Sequence, residues 1–177
     1  LRIVFGLSNT LADIDEFGCL KLRPGVLELL QELKLDHTLI LWTGQKKARV
    51  RSMKLSNSTL FGFFSEVYCK EDIETMQDIP GCSEHQFKNI EKIKADCLID
   101  SKKSYETYSS NLLMGEKYLI IDKYRECLYK YPTPWKIRVV GSDVIEKWEK
   151  RNKEKESWVF DVLSFVERIE AKKGNDT

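Results

Sequence analysis

The chain has 177 residues, 42% of them hydrophobic, enough for one well-buried core and too few for two ordinary domains. Lys and Arg number 29 against 28 Asp and Glu, so a formal charge of +1 leaves no global field toward nucleic acid or membrane, and such a partner needs a local patch. The 5 cysteines, Cys19, Cys69, Cys82, Cys97 and Cys127, form no CxxC pair, which argues against a secreted disulfide scaffold and for reduced thiols in an intracellular compartment, whether cytosol, nucleus or mitochondrion.

No apolar stretch approaches the ~18 residues of a membrane-crossing helix. The first apolar run, Ile3 to Leu7, ends in the small polar pair Ser8 and Asn9, the pattern of a buried strand feeding a loop. Asp13-Ile14-Asp15-Glu16 reads as loop decoration, because Asp13 stands up to about 23 Å from Gly6 if the chain is extended. Pro24 fits a first helical turn, where its missing N–H does no harm, and Val26, Leu29, Leu30 and Leu33 form one apolar stripe that must cover a sheet.

Thr38 to Trp42 predicts a second strand, closed by Thr43 and Gly44, and a basic segment follows with Lys46, Lys47, Arg49, Arg51 and Lys54. Such a cluster can contact RNA or DNA phosphates. Lys47, Arg51 and Lys54 share one side of a helical wheel and Lys46 and Arg49 do not, so a solvated surface helix is the favoured reading and nucleic-acid contact the alternative. Further strands are expected at Phe63 to Cys69, at Cys97 to Asp100 and at Tyr118 to Ile121, with a short helix marked by Phe87, Ile90 and Ile93. This alternation predicts an α/β fold with a doubly wound, mainly parallel sheet flanked by helices.

Pro132 and Pro134 mark a break beyond Tyr131, giving a core domain over 1–131 and a helical C-terminal extension over 132–177 that packs on the core or projects from it. Glu146 to Glu156 carries both charge signs at high density and reads as a solvated helix. Trp158, Val159, Val162, Phe165, Val166 and Ile169 mark one face of a terminal helix, and Lys172 to Thr177 is expected to fray. His37 and His85 have no Cys or Glu at metal spacing and read as surface or turn residues. The aromatic positions Tyr124, Tyr129, Tyr131 and Trp135 suggest either an interaction face or packing at the sheet edge.

Three stretches go further. Gly6-Leu7-Ser8-Asn9-Thr10 stands at the end of an apolar strand in the frame of Asp-x-Asp-x-Thr, followed by Leu22-Arg23-Pro24-Gly25 opening a helix and by Leu39-Ile40-Leu41-Trp42-Thr43. Weaker matches lie at Phe87-Lys88 and at Cys97-Leu98-Ile99-Asp100-Ser101. On these residues the chain resembles the haloacid dehalogenase superfamily. Within it, the likeness is to the branch of RNA polymerase C-terminal-domain phosphatases and nuclear-LIM-interactor-interacting factors, over about Leu1 to Ile121.

The resemblance implies a chemistry that this chain has lost. In the family the first Asp attacks phosphorus and the second moves the proton, while a Mg²⁺ ion neutralises the phosphoryl oxygens. Here Gly6 and Ser8 hold those two positions, and neither can replace a carboxylate. The resemblance leaves Thr10, Thr43, Gly44 and Lys88 as a weak phosphate cradle and Asp100 as the remnant of the metal site, with Ser101 where a second acid is usual. Lys88 and Asp100 can also simply pair.

The leading expectation is a catalytically inactive haloacid-dehalogenase-like domain, a pseudophosphatase serving as a protein-binding or structural subunit of a larger complex, with no cofactor. One alternative is an RNA-contacting subunit of a ribonucleoprotein, using Lys46 to Lys54. The other is a Mg-dependent phosphatase whose catalytic Asp residues are altered or replaced.

Overall fold

The structure is a computed structural model that describes residues 1–72, 88–101, 115–124 and 157–175. Cys82, His85, Phe87, Cys127, Tyr129, Tyr131, Trp135, the break at Pro132 and Pro134 and the charged run 146–156 lie outside the described residues. In chain order the strands are β1 (Arg2–Phe5), β2 (Ala12–Ile14), β3 (Leu20–Leu22), β4 (Thr38–Trp42), β5 (Glu66–Tyr68), β6 (Cys97–Asp100) and β7 (Tyr118–Ile120). The α-helices are α1 (Val26–Leu33), α2 (Lys47–Ser56), α3 (Ser58–Phe61) and α4 (Ser157–Asn175), with short 3-10 turns at Ile90–Ile93 and Gly115–Lys117.

Five strands form one parallel sheet in the order β5-β4-β1-β6-β7. The chain therefore steps outward from β1 through α1 to β4 and through α2 and α3 to β5. It then returns to the other side of β1 for β6 and β7. This is the expected doubly wound order, and it places a topological switch point between the carboxyl ends of β1 and β6.

Side-chain alternation along the strands divides the core in two. Ile3, Phe5, Leu39, Leu41, Cys97 and Ile99 face one way and pack with α1, α2, α3 and α4. Val4, Ile40, Trp42 and Leu98 face the other way, against Ile90, Ile93 and Ala95. The apolar stripe of α1 is buried at all four expected positions, Val26, Leu29, Leu30 and Leu33. Each such side chain contributes about 1.5–3 kcal/mol before the entropy of ordering is charged against it.

The terminal helix carries Trp158, Val162, Phe165, Val166 and Ile169 into that same core. Its approach explains a glycine: Gly25 sits at φ 80°, and a Cβ there would lie 2.9 Å from Val159 Cγ2.

Three local expectations change. The acidic segment after β1 is not a plain loop, because Ala12–Ile14 pairs with Leu20–Leu22 in an antiparallel hairpin and Asp13 is buried within it. Asp15 closes the hairpin, its Oδ1 accepting the N–H groups of Phe17 at 2.9 Å and Cys19 at 2.8 Å. Pro24 lies outside α1, one residue before the Gly25 cap, so its rigid φ shapes the entry to the helix rather than its first turn. Of the segment expected to fray, Lys172 to Asn175 continue α4, and residues 176–177 lie outside the described residues; Lys172 pairs with Glu116, and Lys173 reaches Asp96 at 2.8 Å.

Candidate functional site

β1 and β6 lie in parallel register with Phe5 beside Ile99, and Gly6 N–H extends the ladder by donating to Ile99 O at 2.9 Å. Gly6 thus comes level with Asp100, and the two-residue period turns both toward the face that also carries Val4 and Leu98. Lys88 lies in the described segment that covers that face, just ahead of Ile90 and Ile93. Local pattern and strand order therefore deliver Gly6, Asp100 and Lys88 to one point.

There Lys88 Nζ donates to Asp100 Oδ2 at 2.5 Å, with both side chains almost wholly buried. The pairing of these two residues, one of the two arrangements open from the sequence, is the one observed. Asp100 Oδ1 accepts from Thr10 Oγ1 at 3.0 Å and from Ser101 N–H at 2.7 Å. Thr10 arrives through a tight turn in which the N–H groups of Leu11 and Ala12 both reach Leu7 O at 3.1 Å, with Asn9 at φ 61°. Asn is among the residues that tolerate this left-handed conformation, because its short side chain bonds locally.

Ser8 and Thr43 stand on the β4 side of this group. Gln45 Nε2 donates to Ser8 Oγ at 3.4 Å, Gln45 N–H donates to Thr43 Oγ1 at 3.2 Å, and Ser101 Oγ donates to Ser8 O at 3.4 Å. Thr43 is buried and Gly44 half-buried at the turn before α2. Gly6, Ser8, Thr10, Thr43, Gly44, Lys88 and Asp100 therefore gather around the carboxyl ends of β1, β4 and β6.

The tight turn also brings the hairpin acids back. Ser8, Asn9, Asp13, Asp15, Glu16 and Gln45 line a cavity of about 370 Å³, and the extended-chain distance to Asp13 is never realised. Asp13 Oδ1 accepts from Ile14 N–H at 3.0 Å.

Two side chains outside the sequence expectation hold the group in place. Arg23 is buried, stacks its guanidinium 4.7 Å from the Trp158 ring centre, and donates to Asp122 O at 2.9 Å and to Thr10 O at 3.4 Å. Burial lowers its pKa to about 10, against the opposing pull of Asp122, Tyr124 and Asp161. Gln45 is the other, tying β4 to Ser8. The Leu-Arg-Pro-Gly run was legible in the sequence, but the partners of Arg23 come from 13 and 99 residues away.

The basic segment forms the exposed side of α2. Lys46, Arg49, Arg51 and Lys54 are exposed, and Arg49 donates to Asp15 O at 3.0 Å. Lys47 Nζ pairs with Asp72 Oδ1 at 2.9 Å; the hydrogen bond to Asp72, and then its charge, raise the Lys47 pKa. Acids therefore already answer part of the cluster.

A Mg²⁺ ion needs several oxygen ligands in near-octahedral array, usually from more than one carboxylate or from substrate phosphate. The described residues do not fit it. Gly6 brings no side-chain oxygen, Ser101 brings no carboxylate, and both Asp100 oxygens already accept hydrogen bonds. Among the described residues no group of three or more His, Cys, Asp or Glu converges on one point. His37 lies at the turn between α1 and β4, 3.7 Å from Glu170 Oε1.

No protein-family model matches the chain, and no curated protein does. Among solved structures, it is similar over 99% of its length to a point variant of the fission yeast RNA polymerase II CTD phosphatase Fcp1 bound to beryllium fluoride, at 16% identity and a TM-score of 0.49. A structure of Fcp1 described as an essential RNA polymerase II CTD phosphatase is similar over 99% at 15% identity and a TM-score of 0.47. The chain covers 54% and 53% of those chains, about half their length.

Proposed function

We propose that this chain is a haloacid-dehalogenase-like domain that does not transfer phosphoryl groups and serves as a protein-binding or structural subunit of a larger complex. One observation carries the reading. At the tip of β1, where the family presents its nucleophile, Gly6 offers no side chain, and the nearest carboxylate, Asp100, is buried against Lys88. Ser8, in the place of the proton-moving acid, has a hydroxyl that titrates far above neutrality.

The fold around this point is what supports a retained scaffold. Sheet order, the Thr10 turn and the Arg23 brace are all formed around a strand tip that carries no acid, which supports a use in binding over one in turnover. The domain works inside the cell in a reducing compartment. No described helix is long and apolar enough to cross a membrane.

The test is twofold. The purified chain is assayed for hydrolysis of an aryl phosphate across a range of Mg²⁺ concentrations, and the full chain is recovered from its own cells with whatever accompanies it. No turnover above buffer and a stoichiometric protein partner are expected; magnesium-dependent turnover abolished by Lys88→Ala would overturn the reading.

A second reading, contact with RNA, is favoured by the exposed Lys46 at the N-cap of α2 and the exposed Arg51 and Lys54 on it. It requires binding that weakens steeply with salt.

A further inference from the structure

We propose that Asp100 is the resident occupant of the space that a side chain at position 6 would take, so that Gly6, Asp100 and Lys88 form one interlocked unit that keeps the former phosphoryl site filled. The inference rests on the reading of the chain as a silent phosphatase fold. It concerns why that silence is stable.

A Cβ on Gly6 would lie 2.5 Å from Asp100 Oδ1, 2.7 Å from Asp100 Cγ and 2.9 Å from Thr10 Oγ1. Contacts this short are relieved cheaply only where the neighbour is the loose end of a flexible side chain. Asp100 is not loose: it is 2% exposed, and three donors, Lys88 Nζ, Thr10 Oγ1 and Ser101 N–H, hold its carboxylate. Across a parallel pair, side chains at the same level ordinarily stand side by side. Here one strand has vacated its share, and the other strand's carboxylate leans into it.

Two consequences follow from the chemistry. An acid put back at position 6 would set a second carboxylate against the first beside a single described ammonium, so without a divalent cation between them the two charges oppose each other and Asp100 has to move. The charge of Lys88 is also already answered from within. A phosphate or other oxyanion must displace Asp100 to use it, whereas removing the Asp100 side chain leaves Lys88, Thr10 and the Ser101 N–H around a gap sized for a small oxyanion.

The test uses the full chain. Gly6→Ala is made alone and on an Asp100→Ala background, and urea midpoints are compared. The drop caused by Gly6→Ala should shrink to roughly half or less once Asp100 is truncated, since contacting sites couple; an equal drop on both backgrounds, or failure to fold on both, overturns the proposal. Asp100→Ala by itself should be destabilised and then restored by millimolar formate, acetate or inorganic phosphate. That restoration should be absent in the unmodified chain and in Asp100→Ala/Lys88→Met. Its absence in Asp100→Ala counts against an occupant role.

Gly6→Asp/Ser8→Asp separates the two levels of the argument. Aryl phosphate turnover gained by this variant with Asp100 in place would sink the interlock alone, while turnover by the unmodified chain would sink the silent-fold reading instead.

Discussion

Replacing Lys88 by Met removes the ammonium while keeping much of the side-chain volume, and it strands Asp100 in the interior. Lys88 and Asp100 have side chains only 4% and 3% exposed, so water does not screen the loss. Removing one partner of a buried ion pair costs about 3–5 kcal/mol, and the two hydrogen bonds that Asp100 keeps, from Thr10 and Ser101, favour the lower end. Against a total stability of about 5–15 kcal/mol for an ordinary domain, that is a large fraction. Breaking the half-exposed Arg2–Glu66 pair, 2.8 Å apart, should cost only about 0–1 kcal/mol and serves as the control. Equilibrium unfolding in urea, followed by tryptophan fluorescence and circular dichroism, reads both losses, with the slope against denaturant unchanged. Lys88→Met/Asp100→Asn should recover at least half of the Lys88→Met loss, because the uncompensated charge is gone. A Lys88→Met loss below about 1 kcal/mol, or no recovery in the double variant, would refute the account of a buried, mutually dependent pair.

Burial raises the Cys97 thiol to about 12 from its ordinary 9.0, so alkylation at mildly alkaline pH should spare Cys97 in the native protein and label the exposed Cys19, as peptide mass spectrometry would report. Because the folded-state value is the higher one, the associated stability is intact below pH 9.0 and declines as pH rises toward about 12; a native Cys97 that reacts as fast as Cys19 would contradict this. Gly25→Ala should destabilise by roughly 1–3 kcal/mol, since it forces a side chain into φ 80° and toward Val159. Adding Val159→Ala should return only the overlap and not the backbone strain; full recovery would assign the whole cost to crowding. If α2 contacts RNA, affinity should fall with a logarithmic salt slope of about −0.7 per phosphate contact, measured by filter binding or anisotropy. Arg51→Gln and Lys54→Gln should then weaken binding more than Lys47→Gln, because Asp72 already holds Lys47. Salt-insensitive binding removes the RNA reading.

Periodicity carried a great deal. The apolar run of β1, the stripe Val26, Leu29, Leu30 and Leu33, the strands at Thr38, Cys97 and Tyr118 and the face of α4 are each set by which residues must leave water. That information is local. The hairpin from Ala12 to Leu22 is hard to read along the chain because its alternation is short and interrupted by acids, although Asp15 and Gly18 are sound turn residues. Pro24 stands just before the helix and not in its first turn, a difference of two positions, since a proline before a helix and a proline opening it look alike along a chain.

Sequence by itself determined that no acid stands at positions 6 or 8. Tertiary structure alone decided what fills the space beside Gly6. Parallel pairing sets residue 6 beside residue 100, and the covering segment lowers Lys88 onto the same face, so a carboxylate 94 positions from Gly6 in the chain fills its missing side chain. Such a contact belongs to no local pattern, because strand order and register create it only when the sheet closes.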